Sequence, residues 1–198
     1  WIFDRFCHEY SFKNYSSDTH PVRMYTRKFL LDKISNEDIV LDLGCHDGVM
    51  SNYLSSKAKY VVGVDNNCSA INLAKSRYVQ NNIDFICQDA YEYLNKTDRQ
   101  FSVLILSHIL EHLDNPISFI NRYKDFFEYI YIELPDFDKS YLNHYRNDLS
   151  MSLIYTDEDH VSEFDRMELM SIINSCNLDV MESSQIFGLH RYWCKVVK

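Results

Sequence analysis

The sequence predicts an α/β fold: a three-layer sandwich in which helices cover both faces of a mostly parallel seven-stranded sheet with an antiparallel edge strand. Three observations make that prediction. Short apolar runs alternate with longer amphipathic ones through the middle of the chain, the order expected of βαβ units. The run Val103-Leu104-Ile105-Leu106 is apolar without a break, as a parallel strand buried on both faces must be. The chain has 198 residues, 46% hydrophobic and 25% charged, enough for one domain with a full core.

The elements follow in order. Strands are expected over residues 39–43, 60–64, 83–87, 101–106 and 129–134, with two late ones near 178–184 and 192–197. The late pair lie close together in the chain, which allows an antiparallel addition at one edge. Helices are expected over 49–55, 70–78 and 116–127. Asn115 is placed to cap the last of these, with Pro116 at its first position. Asp165-Arg166-Met167-Glu168 has the form of a capping box and opens a helix to about Cys176. The expected organisation is a helical segment over 1–37, a core over 38–134, an insertion over 135–164, and a C-terminal helix and strands over 165–198. An insertion of that length in a compact domain often serves as a lid or binding loop.

Composition narrows the function. The net charge is −9, against an extended nucleic-acid groove, which needs many cations to displace counterions. No apolar run is long enough to span a membrane. Trp1-Ile2-Phe3-Asp4-Arg5 lacks the basic-then-apolar pattern of a secretory signal. Cys7, Cys45, Cys68, Cys87, Cys176 and Cys194 are scattered, with neither zinc spacing nor a disulfide framework. Buried, reduced thiols in a cytoplasmic protein are the expectation.

Glycine is scarce, yet Gly44 and Gly48 fall in one turn, Asp42-Leu43-Gly44-Cys45-His46-Asp47-Gly48, between a strand and a helix. Glycine there permits a sharp turn and close approach of a ligand to the main chain. Ligands of open parallel sheets bind outside the carboxyl ends of the strands. The next strand ends at Asp65, suited to accept from two ribose hydroxyls. The third leads to Asp89-Ala90, suited to accept from an adenine amino group. The turn does not fit the G-x-G-x-x-G of NAD sites.

These residues resemble the class I S-adenosylmethionine-dependent methyltransferases, which have a Rossmann-like fold. The resemblance rests on LDLGCHDG at 41–48, VVGVD at 61–65, CQDA at 87–90 and LSHILEHLDNP at 106–116. It covers roughly residues 38–134 and continues more weakly from Asp159. It implies S-adenosylmethionine as cofactor and S-adenosylhomocysteine as product. Gly44 and Gly48 would then shape the cofactor loop, Asp65 hold the ribose, Asp89 and Ala90 the adenine end, and Asp42 help orient the methionine part. The sequence departs from the family where His46 replaces the usual middle glycine.

Methyl transfer to a hydroxyl needs alignment and a base that takes the hydroxyl proton. Histidine suits the second task. His108, Glu111 and His112 follow the strongest strand at spacings of three and four, which share a face on a helical turn. His160 precedes the capping box, in a D-H-x-x-x-F pattern that returns to the active-site face in related methyltransferases. His108, Glu111, His112 and His160 are therefore the candidate acceptor-handling residues. Two other readings attach to the same motif. E-H-L after this strand is a structural signature in many small-molecule methyltransferases. A related E-x-x-E-H with a later histidine binds a divalent metal in small-RNA 3′-terminal 2′-O-methyltransferases, but His108 replaces the first Glu and no metal is expected. Tyr141, Tyr145 and Tyr155 in the insertion, and His8, Tyr10, Tyr15, His20 and Arg23 before the core, are candidates for closing the pocket. The motifs most resemble bacterial methyltransferases of sugars, polysaccharides and secondary metabolites. The expected partner is accordingly a small-molecule or glycan acceptor methylated on oxygen. N-methylation of an amino sugar, terminal RNA 2′-O-methylation and a non-catalytic partner role are the alternatives.

Overall fold

The computed structural model describes residues 10–198 apart from 12, 17, 18, 140 and 156. The chain runs α1 (Pro21–Leu31), β1 (Ile39–Leu43), α2 (Val49–Ser55), β2 (Tyr60–Asp65), α3 (Cys68–Arg77), β3 (Ile83–Cys87), α4 (Ala90–Leu94), β4 (Val103–Ser107) and α5 (Pro116–Tyr123). It continues through β5 (Tyr129–Pro135), α6 (Tyr141–Asp148), α7 (Arg166–Ser175), β6 (Leu178–Ile186) and β7 (Leu189–Val196). The seven strands form one sheet in the order β3-β2-β1-β4-β5-β7-β6. Strands β1 to β5 are parallel, and the late hairpin adds to β5 through antiparallel β7. The antiparallel strand therefore lies one place in from the edge, and β6 is outermost.

Alternation along the strands makes the three layers. Leu104 and Leu106 of β4 face one core with Ile130 and Ile132 of β5, under Leu94 of α4, Ile120 of α5 and Leu169 and Ile173 of α7. Val103 and Ile105 face the other with Val40, Val61 and Tyr131, under Phe29 and Leu30 of α1, Leu54 of α2 and Ile71 and Ala74 of α3. Both sides of β4 are sealed, which is why its sequence shows no polar alternation.

The helix starts carry the side-chain caps their sequences provide. Asn115 accepts from the Ser118 amide at 2.9 Å, and Asp165 and Glu168 form the reciprocal capping box. Several limits differ from expectation for local reasons. β4 begins at Val103, and Ser102 just before it joins the neighbouring strands by its amide to the Ile39 carbonyl (2.9 Å), its carbonyl to the Tyr129 amide (2.9 Å) and its hydroxyl, which donates to Asp38 (2.8 Å) and accepts from the Ile39 amide (3.1 Å). The helix from Pro116 closes at Tyr123 and tightens into a 3₁₀ turn over Lys124–Phe126. Helices α4 and α6 were not expected. Asp89 caps α4 through the Glu92 amide at 2.9 Å, and α6 lies inside the insertion. Among the described residues no helix is long and apolar enough to cross a membrane.

One expectation about the cysteines is overturned. Cys68 and Cys87 are joined in a disulfide, with Cα atoms 5.1 Å apart. The β2–β3 register sets Cys87 opposite Asp65, and the chain turns into α3 just beyond Asp65, returning Cys68 to the same place. Cys45, Cys176 and Cys194 are buried free thiols, as expected. Cys7 and His8 lie outside the described residues.

Candidate active site

The turn between β1 and α2 is left-handed at three positions: Gly44 (φ 73°), His46 (φ 47°) and Gly48 (φ 79°). His46 thus adopts a backbone region that favours glycine. Its amide donates to Asp65 Oδ2 at 2.9 Å, which helps hold the turn despite the missing glycine. Packing also restricts Gly48, and it approaches Gly44 closely. A Cβ on Gly44 would stand 2.6 Å from Ile109 Cδ1, and one on Gly48 would stand 2.5 Å from the Phe85 ring. The close approach at Gly44 presses the turn after β4 directly onto this loop.

Asp65 ends β2 half-buried. Its Oδ1 accepts from the Asn67 amide at 2.7 Å, so one carboxylate ties the glycine turn to the start of α3. Each carboxylate oxygen keeps acceptor capacity beyond these bonds. Asp89 is exposed at the end of β3, with Oδ1 on its cap, and Ala90 begins α4 behind it. Two carboxylates at successive strand ends beside a left-handed turn suit a ligand carrying a hydroxyl pair and an amine. Asp42 is buried on β1 and accepts from the Ser51 hydroxyl at 2.5 Å. Burial pushes its carboxyl up to about 6, against the Ser51 bond and with help from the Asp65 charge.

The four histidine-motif residues come together. His108 follows β4 in a left-handed conformation (φ 55°), pinned by its amide to the Glu133 carbonyl at 2.8 Å. Its Nδ1 is 3.0 Å from Glu111 Oε1, and its Nε2 is 3.9 Å from Glu133 Oε1. Burial opposes charge on this ring. The Glu111 hydrogen bond and the charges of Glu133 and Glu111 outweigh burial and Arg191, so the imidazole is held above the ordinary histidine range. The His108 side chain remains 46% exposed, open to a ligand, whereas Glu111 is fully buried. The carbonyl of Glu111 accepts from the amides of Val161 (2.9 Å) and Ser162 (3.1 Å), which stitches the end of the insertion to this turn. That stitch sets the His160 ring edge-on to His112, centroids 4.9 Å apart. His160 Nδ1 is 2.8 Å from Glu163, and His112 Nδ1 is 3.2 Å from the Asp159 carbonyl.

Glu111, His112 and His160 offer possible metal-ligating atoms within 4.8 Å of one another, as do Asp157, Asp159 and His160, and Asp136, Asp138 and His190. In the last group Arg166 already bridges the two carboxylates, at 3.0 and 3.3 Å.

The sequence reading passed over Glu133. It is buried at the end of β5 and gathers Ser107 Oγ (3.0 Å), Tyr131 OH (2.9 Å), Thr26 Oγ1 (2.5 Å) and Arg191 Nε (2.7 Å). Arg191 is itself fully buried and also donates to the Ile186 carbonyl at 2.8 Å. The available signal was an acid inside the apolar run Ile130-Tyr131-Ile132-Glu133-Leu134, where an ionised side chain needs a cation. Of the other candidates, His20 is buried with Nε2 3.1 Å from Ser11 Oγ, and Tyr10, Tyr15 and Tyr145 are exposed.

Comparison with known proteins agrees with this fold. A methyltransferase-domain profile matches residues 22–183. The ubiquinone biosynthesis O-methyltransferase of Coxiella burnetii is 38% identical over 100 residues, covering 49% of this chain and 41% of that protein. Its namesake in Erwinia tasmaniensis is 27% identical over 84 residues, covering 41% and 35%. The chain thus spans less than half the length of these relatives. In structure it is similar to a methyltransferase solved with the Haloferax volcanii activator Trm112, at TM-score 0.69 and 13% identity, over 88% of this chain and 90% of that one. It is similar too to the magnesium protoporphyrin IX methyltransferase of Synechocystis PCC 6803 with bound S-adenosylhomocysteine, at TM-score 0.65 and 13% identity, over 98% and 94%. The strand order, the glycine turn with its two strand-end acids and the matched profile together make this chain a member of the class I S-adenosylmethionine-dependent methyltransferases.

Proposed function

We propose that this protein transfers a methyl group from S-adenosylmethionine to a hydroxyl oxygen of a small polar acceptor. The observation that carries this reading is the packing of Ile109 on Gly44, which sets the His108–Glu111 pair beside the cofactor loop. Bound S-adenosylmethionine supplies a methyl group already activated on a sulfonium. Asp65 and Asp89 hold its ribose and adenine, Ala90 backs the adenine end, and Asp42 helps orient the methionine part. His108 takes the acceptor's proton at Nε2 while Glu111 fixes the ring through Nδ1. His112 and His160 line the acceptor side and position the insertion.

The relatives' shared name supports oxygen over nitrogen as the methylated atom. Sugar or glycan-linked hydroxyls are the acceptors that the motifs resemble. The similarity to ubiquinone biosynthesis O-methyltransferases favours a second class, the acceptors of those enzymes. A methylation assay run on both classes separates them.

Calorimetric titration with S-adenosylhomocysteine, with NAD as control, tests the cofactor. Asp65→Ala should weaken binding by about 1–3 kcal/mol through lost charge-assisted hydrogen bonds. His108→Ala should keep that affinity and lower turnover by roughly 10²-fold or more. Unchanged turnover would leave the motif a purely structural role.

A further inference from the structure

The disulfide lies on the rim of the proposed cofactor site, and the mechanism makes no use of it. Cys87 ends β3 directly opposite Asp65 in the sheet, and the next amide, that of Gln88, donates to the Asp65 carbonyl at 3.3 Å. Asp89 follows one residue later. Cys68 opens α3 next to Asn67, whose amide donates to Asp65 Oδ1. The bond therefore fastens the turn carrying the ribose acid to the turn carrying the adenine acid. Cys68 is exposed and Cys87 half-buried, so a reductant can reach the pair. The other described thiols contrast with it. Cys45, Cys176 and Cys194 are buried, and burial pushes all three thiols up, Cys194 to about 12, which leaves them unreactive.

We propose that Cys68 and Cys87 form a reversible thiol–disulfide site, exchanging with a low-molecular-weight thiol, whose oxidised state preorganises the adenosine end of the cofactor site. The inference rests on the reading of Asp65 and Asp89 as cofactor ligands. In the exchange, an external thiolate attacks one cysteine sulfur, the S–S bond breaks, and the other cysteine leaves as a thiolate. A second external thiol resolves the mixed disulfide. The net change is one protein disulfide and two thiols to two protein thiols and one external disulfide. Two electrons pass from the external thiols to the protein, and two protons follow. Opening the bond, which closes a separation of 19 residues, removes one of the ties between the two turns and leaves the β2–β3 ladder as the other, so the spacing of Asp65 and Asp89 is held less tightly.

The test equilibrates the folded protein in glutathione buffers from fully oxidised to fully reduced. Alkylation with peptide mass spectrometry reads each cysteine, and calorimetry reads the dissociation constant for S-adenosylhomocysteine. Cys68 and Cys87 should become alkylated together and reversibly, while Cys45, Cys176 and Cys194 stay protected. Affinity should fall by about three- to tenfold on reduction, the loss of preorganisation expected of a released loop. The double variant Cys68→Ser/Cys87→Ser should bind with the reduced affinity in both buffers. Should that variant not fold, the two states of the wild-type protein still give the comparison. Equal or tighter binding after reduction overturns the proposal, as does a pair inert to glutathione in the folded protein. Absence of binding in both states overturns the cofactor reading itself, and the coupling with it.

Discussion

Asp42 carries a free-energy cost that its neighbours only partly relieve. It is buried, one hydroxyl donates to it, and the Asp65 charge acts against its ionisation. Its folded value of about 6 lies above the ordinary 3.8, so the native state binds this proton more tightly than the unfolded chain does. The group therefore adds stability below the lower value and loses it as pH rises through the higher one. Asp42→Asn removes that dependence. Relative to wild type, the variant should gain about 1–3 kcal/mol between pH 4 and pH 7, read from urea midpoints at both values. A difference that does not change with pH would show that Asp42 ionises at no cost. The places of Asp42, Asp65 and Asp89 near strand ends were legible in the sequence, because strand ends in an α/β pattern mark themselves. Glu133 was not. A run of apolar neighbours reads as core, and the cation that neutralises it stands on β7, at a distance no local pattern spans.

At the scale of elements, the short helices escaped notice for a common reason. Helix α4 has five residues, Ala-Tyr-Glu-Tyr-Leu, too few for a 3.6 period to declare itself. Strands β1 and β3 were read to their limits, because each is a run of four apolar residues and one aspartate between turn residues. The glycine turn shows how packing sets an element's start. Gly48 and Gly188 are both left-handed, but a Cβ on Gly188 meets nothing within 4 Å, whereas one on Gly48 strikes Phe85 and Ala74. Gly188→Ala should cost only the backbone term, roughly 1–2 kcal/mol. Gly48→Ala adds an overpacking term of about 1–3 kcal/mol. Denaturant midpoints of the two variants measure the difference, and equal losses would exclude the Phe85 contact as its source.

At the scale of the whole molecule, the insertion is held at both ends. Arg166 opens α7 and bridges Asp136 and Asp138, while Val161 and Ser162 bond to the Glu111 carbonyl. The sequence alone marked this segment as an insertion and not these ties, since Arg166 and Glu111 lie outside it and become its neighbours only in the fold. Arg166 is 44% exposed but its partner Asp136 is fully buried, so Arg166→Ala should lower global stability by about 1–3 kcal/mol, short of unfolding the domain. Amide hydrogen exchange over residues 136–148 should nonetheless accelerate, as the near tether is lost. Exchange that stays at the wild-type rate would place the hold at Glu111 alone.

The order of the sheet also bears on how the molecule is made. Translation delivers Glu133 with β5, but its cation Arg191 belongs to β7, the last strand, which pairs directly with β5. While β6 and the hairpin turn are still being synthesised, this carboxylate has hydroxyl partners in Thr26, Ser107 and Tyr131 but no cation, and the flank of β5 lies open. The nascent protein therefore cannot bury the end of β5 as an ionised strand until β7 emerges, and closure of the sheet and neutralisation of Glu133 become one late event.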